Sequence, residues 1–525
     1  MLPKRAASAR TSASKRRGAA PADDDGNTGG SAAQQTTLAS FVAGSAAAPA
    51  EPVAWRQEAD GSLLVGETTA VPFRPSARIA AFDFDDTLAG VNGSHAFPKS
   101  GDDWSWVSPL EPAVLWRLHQ LGFAIVIFSN QKGYFSDKPS KNSVAFKGRV
   151  AHVVRGLAMH AAKAGIAAPD AGGPAALPML FVAAAEDDFF RKPRPGMWHH
   201  FVRSLNGNIE VDTSVSFYCG DAAGRTLDTW GSIIKSKDHA ASDYKFALNA
   251  GIRFLVPETL FHQRTLAALD AIPADADIRA LPADIEVQTG LPPLPAIKFD
   301  PRSFSQSVAH DELEALVESI AGPIRDDSDA SAVPGSGHAS PIAIICTGAP
   351  ASGKSSFVRK HLHPRRFVHI NQDTLKTRDK CIKALRGALE AGSHVVVDNT
   401  NPDRAARADF LSVVQDFRKR TGKAVRVYAL SFDMPLEMRD HNHAYREVQA
   451  HGRQLMRHSW GILNQLGDHK PHMEQAHVPG MVIRMFNKRF EPPTTAEGFD
   501  AVHVVPFHPH FENEHEEALW RMFYA

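Results

Sequence analysis

The run Ile342-Ala343-Ile344-Ile345-Cys346-Thr347-Gly348-Ala349-Pro350-Ala351-Ser352-Gly353-Lys354-Ser355 decides how the second half of the chain folds. Its apolar opening reads as a strand buried on both faces. The residues from Gly348 to Ser355 then spell a complete phosphate loop. Gly348 and Gly353 let the backbone amides turn toward phosphate oxygens, with Ala349, Pro350, Ala351 and Ser352 forming the cradle between them. Lys354 is placed to reach the β- and γ-phosphates of ATP, and Ser355 to ligate Mg²⁺. A helix starting near residue 354 adds its positive end. Such a loop belongs at the carboxyl edge of an open parallel α/β sheet.

The same strand-then-loop grammar occurs earlier. The apolar Ile79–Phe82 runs into Asp83-Phe84-Asp85-Asp86-Thr87-Leu88. Two carboxylates two residues apart at a strand end suit phosphoryl chemistry: Asp83 as the nucleophile that attacks phosphorus, Asp85 as the acid that protonates the leaving oxygen and then activates water. Thr87, Ser129 and Asn130 are candidates to hold phosphate oxygens. Lys192, inside Arg191-Lys192-Pro193-Arg194-Pro195-Gly196, supplies a cation. Asp221, after Gly220, joins Asp83 and Asp85 as a Mg²⁺ ligand.

Downstream of the phosphate loop, Asn371-Gln372-Asp373-Thr374 follows the apolar Phe367–Ile370, which places Asp373 to take a proton from an acceptor hydroxyl. Asp398 follows Val395–Val397 as a strand-end acid on the nucleotide side. Arg446 reads as a lid arginine that clamps the transferring phosphate. No guanine-specifying Asn-Lys-x-Asp follows, which argues against a GTPase.

Between these motifs the chain alternates apolar runs with helix-like stretches, the signature of parallel sheets. The fold class expected is α/β, with two parallel-sheet domains, a Rossmann-like one followed by a P-loop NTPase-like one. The boundaries expected are a basic disordered tail at 1–61, a first domain at 62–262, a linker at 263–340 and a second domain at 341–525. At 525 residues, 43% hydrophobic and 22% charged, the composition is that of globular domains. Zero net charge gives no sign of a nucleic-acid partner. Three dispersed cysteines exclude a disulfide framework and zinc spacing. No apolar run reaches the roughly 18 residues that span a bilayer, so no membrane partner is expected.

The tail holds Lys4, Arg5, Arg10, Lys15, Arg16 and Arg17 with no acid before residue 23. This predicts a nuclear address; a mitochondrial transit peptide or a plain basic tail are the alternatives. Gln35-Thr36-Thr37-Leu38-Ala39-Ser40-Phe41-Val42 resembles the box by which replication and repair proteins dock on the sliding clamp, with Gln35, Leu38 and Phe41 as anchors. Val42 stands where a second aromatic is usual.

Taken together, the first set of motifs resembles the haloacid dehalogenase-type phosphatases. The resemblance narrows at Phe128-Ser129-Asn130-Gln131-Lys132-Gly133, Lys192-Pro193 with Gly196-Met197-Trp198, and Cys219-Gly220-Asp221-Ala222-Ala223-Gly224-Arg225. Asp238, Ser242-Asp243 and Phe246-Ala247-Leu248-Asn249 extend it. Here, and again over 341–507, the chain is similar to the polynucleotide kinase 3′-phosphatase family. Asp86 departs from the pattern, which has glycine there. The resemblance implies a bifunctional enzyme of DNA strand-break ends: a 3′-phosphatase working through an aspartyl-phosphate and an ATP-dependent 5′-hydroxyl kinase, both with Mg²⁺, preparing breaks for ligation beside other repair proteins. It is to a form without the forkhead-associated domain of the animal members. The rival readings are the same chemistry on RNA ends, a small-molecule phosphatase/kinase fusion, and a scaffold with dead sites.

Overall fold

The computed structural model describes residues 51–131, 140–166, 175–273, 276, 290–322, 340–456 and 480–524, except 94, 96, 305, 306, 508, 510 and 512. The basic cluster and the clamp-like box lie outside these residues.

The first sheet is built from β1 (Val53–Glu58), β2 (Leu63–Thr68), β3 (Ile79–Phe82), β4 (Ala124–Asn130), β5 (Met179–Ala184), β6 (Phe217–Cys219) and β7 (Arg253–Leu255). Their spatial order is β1-β2-β5-β4-β3-β6-β7. From β5 to β7 every pairing is parallel. The β2–β5 and β1–β2 pairings are antiparallel, so the sheet is mixed at one edge rather than purely parallel. From β3 the chain winds to β4 and β5 on one side, then to β6 and β7 on the other. The crevice of such a sheet therefore opens at the carboxyl ends of β3, β4 and β6.

Order begins before residue 62. The strand β1 escapes a hydropathy reading because it is an edge strand, with Trp55 and Arg56 among polar neighbours. Trp55 pairs with Gly66, where any Cβ would lie 2.5 Å from the indole. The ring then packs on Phe146 and Phe181 in the core.

The second sheet contains β8 (Ile342–Gly348), β9 (Val368–Ile370), β10 (Val395–Val397), β11 (Arg426–Phe432) and β12 (Ala501–Val504). Its order is β12-β11-β8-β10-β9, all parallel. The phosphate-loop strand β8 is central, between β10 and β11, again at the point where the winding reverses. One face is covered by helices Arg378–Glu390 and Arg404–Thr421, through Leu385, Leu389, Phe410, Val414 and Phe417.

The other face shows that 263–340 is more than a linker. The helix Ser307–Ala321 buries Leu313, Val317 and Ile320 against Ile342, Ile344 and Cys346 of β8. Their i, i+4, i+7 spacing makes one apolar stripe. The acidic stretch that follows hides this stripe from a composition-based boundary.

A buried ion pair ties the top of the second sheet. Arg407, fully buried, donates through Nε and Nη2 to Glu497 at 2.8 Å each, and through Nη1 to the carbonyls of Asn401 and Glu491. Breaking such a pair from one side costs about 3–5 kcal/mol. Among the described residues no helix is long and apolar enough to cross a membrane.

Candidate active sites

At the carboxyl end of β3, the backbone amide of Asp83 donates to the Cys219 carbonyl at 2.8 Å, which fixes the loop over β6. The Asp83 carboxylate meets the Lys192 ammonium at 2.7 Å. Lys192 Nζ also donates to Asp243 Oδ1 at 2.7 Å and to the Tyr218 hydroxyl at 2.8 Å. Asp83, Asp221 and Asp243 each offer an oxygen, and these oxygens lie within 4.8 Å of one another.

Three carboxylates facing one ammonium leave the pocket short of positive charge. Burial pushes Asp83 up to about 7, with Lys192 pulling the other way. Burial and then the charges of Asp243 and Asp83 raise Asp221 well above the usual carboxylate range. Burial alone would lower Lys192, but Asp243 and Asp83 outweigh it and raise it. A hard divalent cation fits this donor set on charge and on oxygen chemistry.

The structure reassigns several residues read from sequence. Asp85 is not in the carboxylate group. Its Oδ2 accepts from Gln131 Nε2 at 2.7 Å, and its Oδ1 pairs with the buried Arg149 of helix Lys141–Ala164. The third acid is instead Asp243, fully buried on helix Ser242–Ala250. Its Oδ2 accepts from the Ala222 amide at 2.9 Å. The sequence shows Asp243 only as part of the Ser242-Asp243 motif, because nothing local shows that this helix points back at β3.

Thr87 does not face the pocket opening. Its hydroxyl donates to Asp221 Oδ1 at 3.2 Å and accepts from the Asp221 amide at 3.1 Å, so it positions the acid. Asn130 is likewise committed, with Oδ1 accepting from the Lys192 amide at 2.9 Å and Nδ2 donating to the Lys192 carbonyl at 3.1 Å. Ser129, buried, accepts from Gln131 Nε2 at 2.9 Å and keeps its proton for another acceptor. Arg149 has no signal in the sequence beyond its residue type, and Gln131 stands in a quoted motif without a role of its own.

Asp86 has φ of 54°, in the left-handed region. Glycine is favoured there, and aspartate is among the side chains that tolerate it. This explains how an acid replaces the glycine of the motif without breaking the turn.

In the second site Gly348 has φ of 154° and Gly353 φ of 87°. A Cβ on Gly348 would meet Phe432 and Ser352 at 2.9 Å. Lys354 is buried, its ammonium on the carbonyls of Gly348 (2.9 Å) and Ala349 (2.6 Å) and on Ser352 Oγ (3.2 Å). Burial pulls it down to about 8 against the attraction of Asp398.

Asp398 follows β10 and is buried. Its Oδ2 takes His369 Nε2 at 2.9 Å and Asn371 Nδ2 at 3.2 Å. Burial would raise it, but the bonds from His369 and Ser355 and the charge of Lys354 hold it below the usual range. Its other oxygen, Oδ1, is buried and takes no part in the His369 and Asn371 bonds. A carboxylate with one uncommitted oxygen beside a phosphate-loop hydroxyl fits a Mg²⁺ site.

Asn371 does double duty. Its Oδ1 caps the short helix Gln372–Leu375, accepting from the amides of Asp373 (2.7 Å) and Thr374 (3.3 Å), while Nδ2 holds Asp398. One amide thereby fixes the exposed Asp373 relative to Asp398. Arg446, on helix Leu436–Met456, lies in the field of Asp373 and Arg359, and burial and Arg359 lower it. Its charge also reaches Lys354, so the three residues read from distant motifs converge.

Known proteins resemble both halves of the chain. A family model described as polynucleotide kinase 3 phosphatase matches residues 78–261, and one described as AAA domain matches 344–460. The chain is 28% identical over 434 residues to a bifunctional polynucleotide phosphatase/kinase of Schizosaccharomyces pombe, covering 83% of this chain and 81% of that protein. Polynucleotide 3′-phosphatase ZDP of Arabidopsis thaliana is 33% identical over 35% of this chain and 24% of its own length. A polynucleotide 3′-phosphatase of Saccharomyces cerevisiae is 28% identical over 35% of this chain and 87% of its own length.

Proposed function

We propose, from the premise that the chain belongs to the bifunctional polynucleotide phosphatases/kinases, that it removes 3′-phosphates and phosphorylates 5′-hydroxyls at DNA strand breaks. The observation that carries this reading is the Lys192 ammonium 2.7 Å from Asp83 at the carboxyl edge of one sheet, with a complete phosphate loop at the carboxyl edge of another.

In the first site Asp83 attacks phosphorus and the bond to the 3′ oxygen breaks. Asp85 donates a proton to that oxygen. Asp85 then takes a proton from water, whose attack on the aspartyl-phosphate releases phosphate and restores Asp83. Lys192 neutralises the phosphoryl oxygens, and Ser129 is free to donate to one of them. Asp83, Asp221 and Asp243 would hold Mg²⁺, which supplies further charge neutralisation.

In the second site the amides of Ala349 and of residues 351–355 cradle the phosphates of ATP, and Lys354 exchanges loop carbonyls for phosphate oxygens. Asp373 accepts the proton of the 5′-hydroxyl as that oxygen takes the γ-phosphoryl group, and Arg446 stabilises the charge in transfer. Asp398 and Ser355 would hold a Mg²⁺ ion, which would supply charge neutralisation to the phosphates. The nucleus is the compartment proposed, and residues 35–42 are proposed to dock on a sliding clamp.

The test is a nicked duplex with 3′-phosphate and 5′-hydroxyl ends, incubated with Mg²⁺ and γ-labelled ATP. Both 3′-phosphate release and 5′-labelling are expected, with Asp83→Ala removing only the first and Lys354→Ala only the second. Turnover of RNA ends or mononucleotides in place of DNA would overturn the substrate assignment while leaving both chemistries standing.

A further inference from the structure

Asn249 lies in the last turn of the helix that carries Asp243, and both ends of its side-chain amide are used. Nδ2 donates to the Pro193 carbonyl at 2.7 Å and to the Phe523 carbonyl at 2.8 Å; Oδ1 accepts from the Phe523 amide at 2.8 Å. The loop of Lys192 is thus bracketed twice, by Asn130 on Lys192 itself and by Asn249 on the next residue. Only the second bracket involves a distant segment.

That segment is gripped by the kinase half. Trp520 Nε1 donates to Asn442 Oδ1 at 2.9 Å, and His441 Nε2 donates to the Trp520 carbonyl at 2.8 Å. Asn442 Nδ2 reaches the Ala351 carbonyl of the phosphate loop at 3.5 Å. Arg521 Nη1 spans the carbonyls of Pro301, Arg302 and Phe304. Trp520, Phe523 and Tyr524 are buried, and Trp520 and Tyr524 share one apolar cluster with Phe246 and Ala247 of helix Ser242–Ala250 and with Tyr445. A half-buried polar bracket of three hydrogen bonds ties the two backbones together, because each group it releases must find a new partner.

We propose that Asn249 and the segment Trp520–Tyr524 form a positioning clamp for the phosphatase site. The segment, anchored on the kinase half, holds the Pro193 carbonyl through Asn249 and so keeps Lys192 Nζ on Asp83. Phosphatase turnover then depends on residues outside the phosphatase sheet. The clamp rests on the phosphatase reading of that site.

The experiment compares full-length parent, Asn249→Ala and Trp520→Phe for 3′-phosphate release, 5′-phosphorylation and thermal midpoint, with assays run well below that midpoint. Loss of the bond to Pro193 and of the two to Phe523 predicts that Asn249→Ala lowers phosphatase kcat about tenfold, with KM within about threefold and kinase kcat within about twofold. Trp520→Phe keeps an aromatic ring, smaller than the indole, and loses the bond to Asn442, so it lowers phosphatase kcat by a smaller factor. Unchanged phosphatase kcat in Asn249→Ala overturns the clamp, as does an equal fall of both activities tracking a lost folded fraction. A parent that releases no 3′-phosphate from DNA overturns the phosphatase reading itself, so the two failures are distinct.

Discussion

Asp243 and Asn371 are single residues whose contacts set the chemistry of whole sites. Asp243 completes the carboxylate group around Lys192 and is itself held by the Ala222 amide. Asp243→Asn keeps its shape and removes its charge. It should weaken the Mg²⁺ affinity of the phosphatase site about 10–100-fold, read as a higher half-saturating Mg²⁺ concentration for 3′-phosphate release, with 5′-phosphorylation unchanged. Asn371 links two acids of the kinase. Asn371→Ser keeps an acceptor for the cap on Gln372–Leu375 but loses the donor to Asp398. Kinase kcat should fall about tenfold, the worth of a charge-assisted hydrogen bond, and Asn371→Ala should fall further because the cap is lost as well. Equal kcat in the two variants would show that the cap adds nothing to the loss of the Asp398 bond.

Strands and loops work here because backbones approach closely where a side chain would not fit. Gly220, after β6, has no unusual dihedral; its requirement is space. A Cβ there would lie 2.6 Å from the carboxyl carbon of the fully buried Asp243. Gly220→Ala should push that acid off Lys192, costing about 1–3 kcal/mol of stability and most of the phosphatase activity, while the kinase remains active. Circular dichroism and both activity assays on the purified variant check this. The same logic governs Gly348, where Phe432 of β11 and Ser352 of the phosphate loop close in from two sides.

Across the whole molecule, buried neutral histidines make folding depend on pH. His441, between Phe299, Trp520 and Tyr524, is pulled down to about 4, first by burial, with the bond to the Trp520 carbonyl opposing. His199 is pulled down to about 4 by burial and Arg203. The unfolded chain protonates such groups near 6.5, so between pH 6.5 and 4 it binds more protons than the folded one. Stability therefore falls as pH drops through that window and levels off below it, by up to roughly 3 kcal/mol per histidine at about 1.36 kcal/mol per pH unit. His441→Gln keeps a donor to the Trp520 carbonyl and should flatten part of this slope in denaturant titrations at pH 7 and 5.

The sequence by itself determined what is local: an apolar strand followed by an ordered string of polar residues. Asp83, Asp221, Lys354, Ser355, Asp373 and Asp398 were legible because each sits at a strand end or in the turn that follows it, and parallel winding brings such ends together; Lys192, farther past β5, was legible from the Lys192-Pro193 motif. The two-sheet α/β class followed from the same alternation. Tertiary structure decided which side chains meet once helices fold back. It replaced Asp85 by Asp243 in the carboxylate group, gave Asp85 to Arg149 and Gln131, turned Thr87 and Asn130 from phosphate holders into positioning residues, and joined Trp520–Tyr524 to the Lys192 loop. Each of these contacts spans dozens to hundreds of residues and depends on distances of a few tenths of an ångström. No residue type or spacing encodes that; only the packing of helices on sheets fixes it.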